Sequence, residues 1–175
     1  NIGSLETLIG VMDNLDVNNL IFSSSCSVYG NSDILPVTEE TPFKPAESPY
    51  AETKQLCEEI VAISKLNSIS LRYFNPIGAH ESGLIGENPK GIPNNLVPYI
   101  SQVAMGKLKK LNIFGNDYNT PDGTAVRDYI HVVDLAKSHI KALLAFSGRG
   151  QILAFNIGTG VGYSVLEIVK TFEKV

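Results

Sequence analysis

The 175-residue chain has little cysteine: Cys26 and Cys57 are its only two, and they form no CxxC pair. That count excludes a zinc framework or a disulfide scaffold and predicts a reducing compartment, the cytoplasm. Positive charge is not in excess, since 14 Lys and Arg stand against 18 Asp and Glu for a formal net charge of −4. A protein that holds nucleic acid by neutralising phosphates needs the opposite balance. No apolar run approaches the roughly 18 residues of a membrane span. The opening Asn1-Ile2-Gly3-Ser4-Leu5-Glu6 has no basic stretch ahead of an apolar block, so no secretory signal is expected. It also has no initiator Met, which reads as processing or as a piece of a longer chain. Internal repeats and low-complexity tracts are missing too. What remains, 43% hydrophobic and 18% charged residues, is the composition of a folded domain rather than of a disordered or fibrous chain.

Periodicity gives the elements. Leu5, Leu8, Ile9 and Met12 share one helical face, which predicts a helix over 4–13 with Ser4 as N-cap. Leu20-Ile21-Phe22 reads as a buried parallel strand running into the polar Ser23-Ser24-Ser25. Residues 30–48, with Pro36, Pro42 and Pro45, read as a surface loop. Ser48-Pro49 suits the start of a helix, Ser as N-cap and Pro in the first position, and Leu56, Ile60 and Ile63 continue it. A second strand is expected over 69–74, then an irregular excursion over 75–94, a helix over 96–105 and a short strand over 111–114. A turn at 120–123, a strand over 126–131, a helix over 133–146 and a strand over 154–157 follow. Val165, Ile168, Val169 and Phe172 mark a last amphipathic helix. Alternating strands and helices predict an α/β fold with a doubly wound parallel sheet. The strands at 20–23 and 69–74 both end in small or polar residues at their C-terminal ends, the edge where such sheets bind ligands.

The sharpest local feature is Tyr50-Ala51-Glu52-Thr53-Lys54. A spacing of four on a helix puts Tyr50 and Lys54 on one face. A nearby ammonium favours the phenolate, and such a phenol can act as general base toward an alcohol. A pattern this short is by itself more often an exposed surface pair. The serine cluster before Cys26-Ser27-Val28-Tyr29-Gly30 supplies hydroxyls at a strand's C-terminal end, although serines there also simply cap the backbone. His131 reads as a hydrogen-bonded core histidine, and His80 and His139 as no more than that. Cys26 reads as a small packing residue, and Tyr29 and Tyr73 as core or wall aromatics. Gly158, Gly160 and Gly162 follow a strand and precede a helix, but with G-x-G-x-G spacing.

Longer segments add a resemblance. Phe22-Ser23-Ser24-Ser25, Val28-Tyr29-Gly30, Ser48-Pro49-Tyr50, Leu71-Arg72-Tyr73-Phe74-Asn75-Pro76-Ile77-Gly78-Ala79-His80, Gly91-Ile92-Pro93-Asn94-Asn95-Leu96-Val97-Pro98 and Arg127-Asp128-Tyr129-Ile130-His131-Val132 occur in the order in which the extended short-chain dehydrogenase/reductase superfamily carries them. The likeness is to that superfamily's epimerases of UDP-sugars and spans nearly the whole chain. It implies a Rossmann-like sheet plus most of a smaller α/β domain for the UDP-sugar. Residues 1–75 would then be the C-terminal half of the NAD-binding domain and 76–175 mainly the substrate region, with some segments returning to the sheet. It implies reversible inversion at C4 of UDP-glucose and UDP-galactose through a 4-keto sugar, with NAD passing a hydride out and back. Tyr50 would take the 4-hydroxyl proton, Lys54 would hold the nicotinamide ribose, and Ser25 would bridge the 4-oxygen. Ser23 and Phe74 would face the cofactor. Asn75, Asn95, Leu96, Asn112, Phe114 and Arg127 would line the UDP portion, with Arg127 on the diphosphate and Phe114 on the uracil. Homodimerisation through the helices at 4–13 and 49–64 is implied; metal, nucleic acid and membrane are not.

The chain departs from the family in one respect: the glycine fingerprint for the dinucleotide pyrophosphate, with its acidic partner about 20 residues on, does not occur in it. The sequence therefore reads as a central piece of such an enzyme, one that alone would neither bind NAD tightly nor fold stably. Two other readings stand beside this one: another nucleotide-sugar enzyme of the same superfamily, a UDP-glucuronate epimerase or a dehydratase, and a catalytically silent homologue. A nucleotide-sugar dehydratase would carry acids where Cys26-Ser27 follow the serines. A catalytically silent binding or regulatory homologue would have no reason to keep Ser25, Tyr50 and Lys54 together.

Overall fold

The computed structural model describes residues 1–147 and 150–174. Its elements run α1 (Ile2–Asn14), β1 (Asn19–Ser25), α2 (Pro49–Ile63), β2 (Asn67–Tyr73), β3 (Asn75–Ile77), α3 (Leu96–Ala104), β4 (Val126–His131), α4 (Val132–Leu144), β5 (Ile152–Ile157), β6 (Gly162–Ser164) and α5 (Val165–Phe172). A 3-10 turn, Cys26–Tyr29, follows β1. The chain divides into two compact units: Asn1–Phe74 with Leu135–Ile157, and Asn75–Asp134 with Gly158–Val175.

The first unit is built on a parallel sheet in the order β1-β2-β5. Neighbouring residues of a strand point to opposite faces, and the packing follows that rule. Leu20 and Phe22 join Leu5, Met12, Cys57, Val61 and Leu66, so α1 and α2 cover one face. Ile21 joins Ile69, Leu71, Ala142 and Phe146 beneath the later turns of α4. β2, central in the sheet, is buried along all but its last residue, as a strand covered on both faces must be. The serines 23–25 belong to β1 itself, paired with Leu71, Arg72 and Tyr73.

The second unit holds β3 parallel to β4, and β6 antiparallel to β4. The proline of Asn75-Pro76-Ile77 is tolerated because β3 is an edge strand. Ser164 and Glu167 form a reciprocal capping box at the start of α5.

Several expectations need correction. α1 begins at Ile2 with Asn1 before it, and Ser4 lies inside the helix. Residues 111–114 are not a strand. The excursion from 75 opens with β3, too short to read from alternation, and becomes irregular only after Ile77. β6 is likewise too short to announce itself. His131 is exposed at the end of β4, where its Nδ1 accepts the Val133 N–H at 3.2 Å. It caps a helix start rather than filling a core. The glycine loop grips a carboxylate of its own chain: Thr159 N and Gly160 N donate to Asp128 at 2.9 and 2.8 Å. Gly160 has a φ of 76° there, a conformation that suits glycine. No helix among the described residues is long and apolar enough to cross a membrane.

Candidate active site

The start of α2 places the central pair. Ser48 accepts the Ala51 N–H at 3.1 Å, and Pro49 occupies the first helical position. Tyr50 therefore sits in the first turn, 52% exposed. One turn later Lys54 folds back over β1. Its Nζ donates to the Ser23 carbonyl at 2.6 Å and stands 5.0 Å from the Phe22 ring centroid and 5.7 Å from that of Tyr50. The expected pairing of Tyr50 and Lys54 on one face is thus a contact between an ammonium and the Tyr50 ring.

The next turn of α2 is anchored by a buried ion pair that sequence reasoning missed. Arg72 Nη2 meets Glu58 Oε2 at 2.7 Å, Arg72 Nε meets Oε1 at 3.0 Å, and Ser24 donates to the same carboxylate. Arg72 Nη1 also donates to the Tyr29 hydroxyl at 2.8 Å, and Tyr29 passes its own proton to Asn156 Oδ1 at 2.7 Å. Burial pushes the Tyr29 phenol above its ordinary range, with Arg72 pulling partly the other way. The signal was present in the sequence: an arginine inside an apolar strand must have a partner.

Ser25 is half-buried at the end of β1, where its Oγ accepts from Ser27 N at 3.2 Å and from the Ser27 hydroxyl at 3.0 Å. Its own hydroxyl proton is not consumed by those contacts. Ser23 is exposed, and its Oγ lies 2.7 Å from the Tyr73 hydroxyl. Tyr73 is more than a wall aromatic, because its hydroxyl also lies 2.5 Å from His139 Nε2. Burial raises the Tyr73 phenol, the contact with Ser23 lowers it, and the proximity of Tyr50 raises it further. Phe74, half-buried, extends the sheet by donating its N–H to Ile157 O at 3.1 Å.

In the second unit, Asn95 precedes α3 without capping it; its Nδ2 donates to Glu87 at 2.9 Å. Asn95, Leu96, Asn112 and Phe114 line a cavity of about 340 Å³, with Phe114 84% exposed. Asn75, Asn95, Leu96 and Arg127 line another of about 260 Å³. Arg127 Nη1 donates to the Val126 carbonyl at 2.8 Å. The expected residues thus fall into two groups. Ser23, Ser25, Tyr50 and Lys54 gather around the C-terminal end of β1, with Phe74 just past the end of β2 in the same unit, and the six substrate candidates surround two cavities of the other unit.

Chemically, the first group offers an ammonium, a phenol and two serine hydroxyls at the C-terminal edge of a parallel sheet. That donor set suits vicinal ribose hydroxyls and a carboxamide, as on a nicotinamide nucleoside. The second group offers amides, an aromatic ring and a guanidinium, which suit a nucleoside diphosphate.

A model of the NAD dependent epimerase/dehydratase family matches residues 1–158. The UDP-glucose 4-epimerase of Pasteurella multocida is 55% identical over 99% of this chain and 52% of its own length. Among solved structures, UDP-glucose 4-epimerase from Bifidobacterium longum in complex with NAD+ and UDP is 52% identical, with a TM-score of 0.91 over 98% of this chain and 52% of that one. The Stenotrophomonas maltophila enzyme with bound NAD and formylated UDP-arabinopyranose is 47% identical, with a TM-score of 0.94 over 99% of this chain and 53% of that one. The chain spans about half the length of the relatives it matches.

Proposed function

The chain belongs to the NAD dependent epimerase/dehydratase family, and from that premise we propose that its protein interconverts UDP-glucose and UDP-galactose by inversion at C4. The observation that carries this reading is the placement of Tyr50 and Lys54. A half-exposed phenol stands beside an ammonium fixed to a strand-end carbonyl. Identity above 50% to UDP-glucose 4-epimerases along almost the entire chain supports it.

Bound NAD supplies one piece of chemistry, a hydride acceptor that returns what it takes. Everything else falls to the chain. Tyr50 accepts the proton of the sugar 4-hydroxyl as its phenolate, whose negative charge the neighbouring Lys54 ammonium stabilises. Ser25, whose oxygen already accepts from Ser27, donates its hydroxyl proton toward the sugar 4-oxygen. Lys54 also holds the ribose hydroxyls, and Ser23 and Phe74 border the cofactor ring. Asn75, Asn95, Leu96, Asn112, Phe114 and Arg127 hold the UDP portion, Phe114 against the base and Arg127 as a fork on the diphosphate. Anchoring by UDP leaves the hexose free to present either face.

On this reading residues 1–75 belong to the NAD-binding domain and most of 76–175 to the substrate region. The protein works in the cytoplasm as a homodimer through α1 and α2. Exposed Leu8, Val11, Leu56 and Ile63 on those helices support the dimer. The test is UDP-galactose carrying deuterium at C4, supplied to the protein as the cell makes it. UDP-glucose with the deuterium retained supports the reading; no conversion, or loss of the label to water, refutes it.

A further inference from the structure

β4 sorts its side chains by alternation. Ala125, just ahead of the strand, and Arg127 and Tyr129 within it all line the cavity of about 260 Å³. Asp128, between the last two, takes the N–H groups of Thr159 and Gly160 instead. β3 adds to the cavity face, since Asn75 stands beside Tyr129 in the parallel ladder and lines the same cavity. Three polar side chains, Asn75, Arg127 and Tyr129, therefore share one face of the β3–β4 ladder. Sequence reasoning gave roles to Asn75 and Arg127 and none to Tyr129.

The charges in this cavity show what a phenol adds. Arg127 brings one positive side chain and Glu87 one negative. The Glu87 carboxylate takes the Asn95 amide N–H at 2.9 Å, so it does not offset the guanidinium by pairing with it directly, but its field acts on the same space. The diphosphate of a nucleotide sugar is ionised at both phosphates near neutral pH and only accepts hydrogen bonds. A guanidinium with a carboxylate across the cavity does not neutralise it, and neutral donors must supply the rest of the grip. Tyr129 is such a donor. It is half-buried, and among the described residues its hydroxyl has no hydrogen-bond partner. Burial pushes the phenol above its ordinary range, with Arg127 pulling partly the other way. The hydroxyl therefore keeps its proton at neutral pH.

We propose that Tyr129 is a substrate-binding residue: its hydroxyl donates a hydrogen bond to the diphosphate that Arg127 grips from the same face of the ladder. The proposal rests on the UDP-sugar reading of this cavity and deepens it by naming the group that the diphosphate meets beside the guanidinium. The spacing of two between Arg127 and Tyr129 puts both side chains on one face of a strand, and the ladder partner Asn75 completes the donor set. A phenylalanine would fill the same space and offer no donor, so the hydroxyl is the part of the side chain that carries the role.

The test is calorimetric titration of the protein as the cell makes it, and of its Tyr129→Phe variant, with UDP and with uridine. The proposal expects Tyr129→Phe to weaken UDP about ten-fold, the worth of a hydrogen bond to a charged group, and to leave the affinity for uridine in place. Retained uridine affinity also shows that the variant is folded. Equal UDP affinity in parent and variant overturns the proposal. An equal loss for UDP and uridine overturns it too, because it assigns the side chain to the nucleoside. A crystal structure of the unsubstituted protein with UDP gives a second reading that no folding defect can remove. The Tyr129 hydroxyl within hydrogen-bond distance of a phosphate oxygen supports the proposal, and a hydroxyl on the base, on the ribose or on solvent overturns it. Binding is measured without turnover, so the two readings fail separately. A protein that binds UDP and does not convert UDP-galactose refutes the epimerase reading and leaves the titrations to decide the role of Tyr129. A protein that converts UDP-galactose while Tyr129→Phe binds UDP as the parent does refutes only the role of Tyr129. A parent that binds no UDP overturns both.

Discussion

Tyr50 and Lys54 show how far a spacing can be trusted. Four residues on a helix predict a shared face, and the ammonium does stand 5.7 Å from the Tyr50 ring. What the spacing could not reveal is that Lys54 is anchored on the Ser23 carbonyl, a contact across 31 residues of chain. Lys54→Met therefore removes both the charge beside Tyr50 and the tie that closes α2 onto β1; a fall in kcat of at least 100-fold in steady-state assay is the expected outcome. Asp122 offers a pH test in the other unit. Hydrogen bonds first from Ser164, then from the Thr124 N–H and hydroxyl, hold its carboxyl below its ordinary 3.8. A depressed carboxyl contributes stability that is present above its unfolded pKa and fades as pH falls through its folded one. Thermal midpoints should thus show Asp122→Asn less stable than the parent at neutral pH. The gap should narrow in acid, below about pH 4.

At the scale of elements, α2 carries the site and two devices set it. The Ser48 cap with Pro49 was legible because capping chemistry is local. Ser48→Ala should cost about 1 kcal/mol in urea denaturation. The Glu58–Arg72 pair was not read, although both residues stand in plain view on a helix and a strand. Its partners are Ser24 and Tyr29, and Tyr29 in turn donates to Asn156; only the folded chain brings them together. Removing one member strands a charge among groups less than a tenth exposed. Glu58→Ala should destabilise by about 3 kcal/mol in the same measurement. The long elements were legible from periodicity. The three-residue strands β3 and β6 were not, since so few residues establish no period, and 111–114 failed as a strand despite its apolar residues. His131 misled for a related reason: an apolar run says nothing about which of its ends meets water.

For the molecule as a whole, the parallel order β1-β2-β5 gathers the strand ends that carry Ser23, Ser25 and Tyr73. The alternation of helices and strands had indicated such a sheet. The cavities around Asn95 and Arg127 draw Asn95, Asn112 and Phe114 from irregular backbone on either side of α3, where no pattern assigns positions and only the resemblance named residues. On the proposed function the two groups of residues act on different parameters. Arg127→Ala should raise KM for the UDP-sugar about ten-fold or more, the worth of a charged hydrogen bond, while Tyr50→Phe should act on kcat. The most direct measurement is the rate of UDP-galactose conversion by the protein as the cell makes it, beside its Tyr50→Phe variant with the fold verified. The account predicts conversion by the parent and a loss of at least 100-fold in the variant. A variant that converts UDP-galactose at the parent rate would contradict it.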